Sequence, residues 1–506
     1  MNLGYDILGV AARRFPADVA LIGDWGQLTF EQLETRVASV TAGLERLGVR
    51  PGDRVGYMMN NLPEIVVAYF AILRLGAIAV AVNVMLKPVE LAYVLGDSGA
   101  RVLVCEPSVA PTAVAAKAEG AAVRSIVVVG GASGAVTPFA ELERPGATAG
   151  VADRHPDDVA MLMYTSGTTG SPKGVMMSHA WLDFTTSAWI SVYKLGRMDR
   201  MLVASPFFYA IGSIMEVLAP FRVGASAVLV ERFRARAVLD AITRFRPTAT
   251  VMVPTAAVQL LEEYDAERDD VSSMRIFFTA GGPCPTGFRA RARARLGWEA
   301  REIYGLTEAH MVAVAAIGTP VREGMLGVPG GNLQVCVVGE DGREVSRGLV
   351  GEIVCRGDTV TSGYWGRPEE TAASHRDGWF HTGDLGVMDA DGYLKVVDRK
   401  KEMIIAGGAN IYPAEVERVL ATHPQVAAAA LVGIPDETYG ELPVAVIVPR
   451  PGAPAAGEEI IAFCRSALAA YKCPRSVIFV DELPLTPSGK VARRQLKEKI
   501  LAHQGG

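Results

Sequence analysis

The sequence predicts an α/β protein in which a large N-terminal part is followed by a small β region and a separable C-terminal part. Three observations carry this. Short β-rich runs alternate with helical patterns over the first three hundred residues, which is the pattern of mostly parallel sheets covered by helices. From 333 to 365 the pattern changes to short strands broken by Gly-Glu-Asp-Gly and Arg-Gly turns. After Asp398 a charged stretch, Arg399-Lys-Lys-Glu402, opens a last segment of ~100 residues, long enough to fold alone.

The elements follow in order. Thr29 and Gln32 form a capping box that opens a helix. Val55–Met59 reads as a strand. The apolar stretch Ile65–Leu86 resembles a membrane span, but Arg74 and Asn83 interrupt it and Gly76 divides it. A charge near the middle of a lone span is costly. The stretch therefore reads as a buried helix, Pro63–Leu75, and a core strand, Ala77–Val84. Arg101–Cys105 and Ser125–Val129 are further strands, and 130–134 is a loop without the G-x-G-x-x-G pattern. In the C-terminal part, 413–422 and 458–469 read as helices, and 427–432, 444–448 and 477–480 as strands.

At 506 residues the chain exceeds one ordinary core. Half the residues are hydrophobic, 21% are charged and the net charge is −5, which gives no basic footprint for a nucleic acid. The basic run Arg289, Arg291, Arg293 and Arg295 has a spacing of two, which spreads charge around a helix and predicts a solvated surface. Six scattered cysteines include no C-x-x-C pair, so neither a zinc site nor a redox dithiol is expected. Few cysteines and no apolar leader in MNLGYDILGVAARRF fit a cytoplasmic protein without a membrane span.

The densest chemistry lies in Thr165-Ser166-Gly167-Thr168-Thr169-Gly170-Ser-Pro-Lys173-Gly174. Glycines let backbone N–H groups converge on an anion, hydroxyls add donors and Lys173 adds a mobile charge. The loop fails the Walker A pattern, because Gly174 stands where a Ser or Thr would open a helix. Tyr304-Gly305-Leu-Thr307-Glu308 follows a strand end. Its carboxylate beside a phosphate loop suits Mg²⁺, which one or two carboxylates hold with phosphate oxygens. A helix start with Thr307 as cap reads equally from these residues. His381-Thr-Gly-Asp384 offers an acid for ribose hydroxyls, or a turn aspartate. Gly407-Gly408 allows close backbone approach to a ligand, or only a tight turn. Lys490 lies on a Pro/Gly-rich turn near the C-terminus, where a lysine is ordinarily solvated.

Taken together, TSGTTGSPKG (165–174), SPFFYAIG (205–212), TAGGPCP (279–285), YGLTE (304–308), HTGD (381–384), DRKKEMIIAGGANIYPAEVE (398–417) and PLTPSGK (484–490) resemble, in this order, the adenylate-forming superfamily of acyl-CoA synthetases, peptide-synthetase adenylation domains and beetle luciferases. The resemblance spans nearly the whole chain. It implies an N-terminal AMP-binding domain (1–397) of packed α/β subdomains plus a small β subdomain, a hinge (398–401) turning at Lys401, and a smaller mobile α+β domain (402–506). It implies two half-reactions. A carboxylate attacks the α-phosphate of ATP, giving acyl-AMP and pyrophosphate; a thiol then attacks the acyl carbonyl and releases AMP.

By the same resemblance, Thr165 to Lys173 would hold the β- and γ-phosphates and Thr307 the α-phosphate. Glu308 would hold Mg²⁺, and Lys490 would act at the α-phosphate. Tyr304 would stack on adenine, Gly281 and Gly282 would border it, and Asp384 with Arg399 would fix the ribose; Glu302, Gly305 and Val396 would also belong to the ATP/AMP site. Two anions must meet in this reaction, so preorganised cations and donors carry the first step. The acyl pocket would be lined by Phe208, Tyr209, Gly212, Met215, Gly281, Gly305, His310 and Met311. Tyr209 stands where many members have histidine. For CoA, Gly407 and Gly408 would border pantetheine, Tyr439 and Tyr471 would stack, and Lys472 and Arg475 would pair with phosphates. Cys473 replaces a residue that is often basic.

CoA is the expected thiol, with a carrier protein as alternative and luciferase-type oxygen chemistry a distant third. A catalytically inactive ligand-binding homologue is the reading of another class, against which Lys173, Glu308, Asp384 and Lys490 are all intact. The largely apolar wall points to a small-molecule carboxylic acid of medium or long chain, or a bulky cyclic acid; aryl acids stay open. No arginine among the wall positions would pair a second carboxylate, as malonate needs. Fatty acid metabolism is the expected setting, and a homodimer stays open. If Lys490 acts only in the first step, Lys490→Ala blocks ATP-dependent adenylation and spares thioester formation from supplied acyl-AMP; equal loss of both half-reactions, measured separately, overturns that role.

Overall fold

The computed structural model describes residues 1–131, 136–144, 146–165, 171–285, 287–406, 409–436, 438–452, 456–485 and 491–504. Its contacts divide the chain into two compact units, Met1–Val335 with Cys355–Phe380, and Cys336–Val354 with His381–Gly506.

The first unit is built on two large sheets. One runs, in order, through Ala313–Val314, Ala300–Tyr304, Ile276–Ala280, Ala249–Met252, Arg200–Val203, Ser226–Leu229, Val19–Gly23 and Gly26–Thr29. The other runs through Thr137–Pro138, Ser125–Val128, Val102–Cys105, Arg54–Met58, Ile78–Ala81, Val159–Thr165 and Lys173–Ser178. Pairing is parallel in the interior of both sheets and antiparallel at edge pairs such as Val159–Thr165 with Lys173–Ser178. The central strands are short, continuously apolar runs because helices cover both faces; Ile78–Ala81 is buried throughout.

The capping box holds: Thr29 N–H donates to Gln32 Oε1 (2.9 Å) and Gln32 N–H donates to Thr29 Oγ1 (3.2 Å), opening the helix Phe30–Arg46. Pro63–Arg74 is a core helix, with Ile65 to Leu73 all buried. Among the described residues no helix is long and apolar enough to cross a membrane. The two polar residues that interrupt the apolar run are both used. Arg74 pairs with Glu34, and Asn83 Nδ2 donates to the Tyr209 hydroxyl (3.2 Å).

The basic run is not uniformly solvated. Arg291, Arg293 and Arg295 are exposed on the helix Phe288–Leu296, but Arg289 turns inward to Glu302 (2.6 Å). The spacing missed this because one turn of the helix packs against the sheet.

The second unit holds most of a small antiparallel sheet, Gln334–Val338, Gly351–Arg356, Trp379–Met388 and Leu394–Arg399. A second sheet there comprises Ala409–Ile411, Ile404–Ala406, Gly440–Pro449, Val426–Asp436 and Ser476–Phe479, with helices Pro413–Leu420 and Gly457–Ala467. Its core gathers Ile404, Val416, Leu431, Ile447, Cys464 and Cys473. Arg493 crosses beneath this sheet to Glu417 (2.6 Å), Glu402 (2.8 Å) and the Leu431 carbonyl (2.8 Å). Three acceptors satisfy one guanidinium whose removal would strand two carboxylates.

Candidate active site

The phosphate-loop motif connects a hairpin. Thr165 ends one strand and Lys173 begins the next, directly opposite in register. Ser166, Gly167, Thr168, Thr169 and Gly170 lie outside the described residues, as do Gly407, Gly408 and Lys490. Lys173 is largely buried. Its ammonium pairs with Glu370 and stands 5.1 Å from the centre of the Tyr364 ring. The Tyr364 hydroxyl in turn donates to Glu308 Oε1 (3.0 Å). Burial and the Glu308 charge push that phenol far above its ordinary range, so it stays a donor.

Tyr364 and Glu370 are residues the sequence reading missed. They come from the segment Gly363-Tyr-Trp-Gly-Arg-Pro-Glu-Glu370, between the strands Gly351–Arg356 and Trp379–Met388 of the small sheet. The backbone stitches this segment to both motifs. Met176 N–H donates to the Gly363 carbonyl (3.0 Å), Trp365 N–H to that of Gly174 (2.8 Å) and Thr361 N–H to that of Glu308 (2.8 Å). An aromatic donor and two acids in a Gly/Pro-rich turn were the available signal, but their partners lie far away in sequence.

Gly281 and Glu302 come from adjacent parallel strands, with Thr279 opposite Glu302 and Ala280 opposite Ile303. These strands deliver TAGG and YGLTE at their carboxyl ends, where open α/β sheets bind ligands. Gly281 has φ +86°, which a larger residue adopts only under strain. Its glycine is required by the turn whatever it contributes to a pocket. Gly282 has no such restriction, and a Cβ there meets nothing nearer than 3.9 Å. Burial raises the Glu302 carboxyl while its ion-pair partner Arg289 opposes the shift. Tyr304 is half-buried at the strand end. No helix follows it: 305–306 is irregular and 307–308 a bend, so the cap reading of Thr307 fails. A Cβ on Gly305 would stand 2.9 Å from the Ala309 carbonyl oxygen, so the glycine lets the chain fold back tightly.

Four of the acyl-wall candidates, Phe208, Tyr209, Met215 and Met311, belong to the core of the first unit, whereas Gly281 and Gly305 are exposed. Phe208, Met215 and Met311 are buried together, with Tyr209 packed edge-on to Phe208 at 4.8 Å. Met311 holds φ +61°, a strained conformation of the sort kept at functional sites. Gly212 begins the wide turn of the π-helix Ile211–Leu218 and presses on the preceding segment. A Cβ there would stand 2.5 Å from the Pro206 carbonyl oxygen. Close packing therefore requires this glycine. His310 is not a polar point on an open wall. It is enclosed by Trp181 (ring centres 4.9 Å) and Trp189, whose indole N–H donates to His310 Nδ1 (3.4 Å). Burial pushes its pKa down to about 4, so the ring is neutral at pH 7.

In the second unit Asp384 lies on a strand rather than in a turn, opposite Arg399 in register, with an ion pair of 2.9 Å. Val396 faces Gly386 on the same pair of strands. Beside them Asp398 accepts from the N–H groups of Ala414 (2.8 Å) and Arg399 (2.7 Å), which ties the start of the helix Pro413–Leu420 to the strand before Lys401. Lys401 is exposed in the turn that follows. Tyr439 and Tyr471 are exposed; the Arg475 guanidinium stands 5.9 Å from the Tyr439 ring centre and the Lys472 ammonium 5.8 Å from that of Tyr471. Lys472 also pairs with Glu415 (2.7 Å). Cys473 is internal, its thiol 3.6 Å from the Ala469 carbonyl oxygen, so that position offers no surface contact of either kind.

Two family models match the chain: AMP-binding enzyme over 8–365 and AMP-binding enzyme C-terminal domain over 415–490. A feruloyl-CoA synthase from Amycolatopsis sp is 41% identical over 97% of both chains. A long-chain-fatty-acid–CoA ligase from Bacillus subtilis is 33% identical over 97% of this chain and 94% of its own. The crystal structure of the anthranilate CoA ligase AuaEII in complex with anthranoyl-AMP superposes with a TM-score of 0.92 at 32% identity, covering 100% of this chain and 98% of that one. The chain belongs to the AMP-binding enzyme family. It is an AMP-forming acid–thiol ligase of the acyl-CoA synthetase type, and ATP-dependent adenylation of a carboxylic acid is its first reaction.

Two outcomes are expected from this geometry. If Lys173 holds ATP phosphates, Glu370 competes with them for its ammonium, so Glu370→Gln is expected to lower the KM for ATP by roughly threefold at low ionic strength, and Lys173→Ala to raise it about tenfold, both read by pyrophosphate release. Burial also pushes His179 down to about 4. Unfolded histidine titrates near 6.5, so between those values the unfolded chain binds more protons and is favoured. Stability is full above pH 6.5 and declines as pH falls toward 4. A His179→Gln, His310→Gln double variant shows a flatter pH dependence in denaturant melts.

Proposed function

We propose that the protein is an ATP-dependent carboxylic acid–CoA ligase whose acid carries an aromatic or bulky cyclic group. The observation that carries this reading is the end-to-end likeness to a feruloyl-CoA synthase, together with the wall of Phe208, Tyr209 and Met215 in the core of the first unit. Apolar surface with one hydrogen-bonded polar point, Tyr209 with Asn83, suits a ring bearing few polar substituents. A medium- or long-chain fatty acid is the second reading, favoured by the likeness to a fatty-acid ligase.

In the first step the acid's carboxylate oxygen attacks the α-phosphorus of ATP and pyrophosphate leaves. Lys173 and the hydroxyls around it bind the leaving phosphates, and Thr307 donates to the α-phosphate. Tyr304, Gly281 and Gly282 receive adenine. Asp384 and Arg399 hold the ribose, and Lys490 stabilises the charge that develops. Glu308 would hold Mg²⁺, which would supply charge neutralisation at the phosphates. Among the described residues no cluster of three His, Cys, Asp or Glu side chains competes for that role.

In the second step the CoA thiol attacks the acyl carbonyl and AMP leaves. Gly407 and Gly408 admit pantetheine, and Tyr439, Tyr471, Lys472 and Arg475 receive the rest of CoA. Lys472 exchanges Glu415 for phosphate. The C-terminal domain turns at Lys401 between the steps, so 398–401 is the boundary that matters mechanistically.

Nucleotide product analysis tests the reading. The protein with ATP, Mg²⁺, CoA and pooled aromatic and fatty acids is expected to give acid-dependent AMP and one or more new acyl-CoA masses, with an arylpropenoyl-CoA dominant. Dominant fatty acyl-CoA favours the second reading. AMP without acyl-CoA moves the thiol to a carrier protein, and ADP or no turnover overturns the ligase.

A further inference from the structure

Glu216 is fully buried in the first unit and has no ion-pair partner among the described residues. It lies on the π-helix Ile211–Leu218, one residue after Met215 and four after Gly212. Its two carboxyl oxygens take two backbone donors from different places. Ser205 N–H donates to Oε2 (3.3 Å) and Val251 N–H to Oε1 (3.3 Å). Ser205 begins the segment that carries Phe208 and Tyr209, and Val251 is in a central strand of the large sheet.

The same segment is held from its other side by Asn61. Asn61 Oδ1 accepts the Phe207 N–H (2.9 Å), and its Nδ2 donates to the carbonyls of Ser205 (3.0 Å) and Val230 (3.1 Å). Gly212 removes the last gap by letting the π-helix touch Pro206. The segment is thus fixed by side chains rather than by a strand ladder. Wide helical turns of this kind concentrate at functional sites.

The chemistry of Glu216 is specific to that task. An apolar residue would leave two buried N–H groups without acceptors. Glutamine offers one acceptor oxygen and sets an NH₂ donor against the second N–H. Only a carboxyl meets both donors with an acceptor. No feature of the adenylation chemistry calls on Glu216, and burial holds its proton affinity well above the ordinary carboxyl range.

We propose that Glu216 is a positioning residue that sets which acids the enzyme accepts, by holding Ser205–Tyr209, and with it Phe208 and Tyr209, against the large sheet. This rests on the reading that those side chains line the acyl site.

The test compares full-length wild type with Glu216→Gln and Glu216→Leu. Thermal melts check folding, and kcat and KM are measured for ferulate, cinnamate, octanoate and ATP. The expected result is a rise of about tenfold in KM for the preferred acid and a fivefold or greater narrowing of kcat/KM ratios among acids, with the KM for ATP within about twofold. Unchanged acid ratios overturn the inference, and so does an equal rise in the KM for ATP, which marks general loosening. If neither variant folds, hydrogen exchange on the wild type decides. A Ser205 amide as protected as those of the strand Ala249–Met252 supports it, and rapid exchange at Ser205 overturns it. Wild type without acid-dependent AMP overturns the ligase reading and this inference with it; normal wild-type turnover with unchanged preference in the variants overturns this inference alone.

Discussion

Charge around Lys173 is the constraint on which the first unit's site depends. The enzyme must bring a carboxylate to a triphosphate, two anions that repel. In the proposed site the cation offered to these anions is Lys173, partly withdrawn from water, paired with Glu370 and set over the Tyr364 ring. The same tyrosine hydrogen-bonds the acid of YGLTE. One aromatic residue therefore sets the spacing between the positive group and the negative group of the site. Both charged residues meet a third segment that the backbone ties to their motifs.

Close backbone approach is the second theme. Gly212 and Gly305 sit where any side chain would strike a carbonyl oxygen. These glycines pack the chain against itself, so the residues beside them are carried on tightly folded turns. The neutral His310 between two tryptophans belongs to the same economy: an imidazole used as a packing group with one satisfied nitrogen. Buried polar groups of this sort specify a single arrangement because each unsatisfied partner is costly.

Much was legible in the chain itself. Alternation of apolar runs gave the parallel sheets, the Thr29–Gln32 capping box gave a helix start, and the interrupted apolar stretch at 65–86 gave a buried helix and strand. The order of the motifs gave the family. What failed has a common cause. Thr307 has a cap's chemistry without a helix to cap, Asp384 has a turn residue's chemistry but lies on a paired strand, and Arg289 has a surface residue's spacing but an interior partner. Local preference was read correctly in each case and was overruled by a partner distant in sequence.

By itself, then, the sequence determined the elements, the motif residues and the chemical class, because periodicity, capping and motif spacing are local properties of the chain. Tertiary structure alone decided the partners: Glu370 and Tyr364 for Lys173 and Glu308, Asn61 and Glu216 for the segment 205–209, and the tryptophan enclosure of His310. Those contacts join residues tens to hundreds of positions apart. Their energies come from burial and from satisfying buried donors, which no local pattern records.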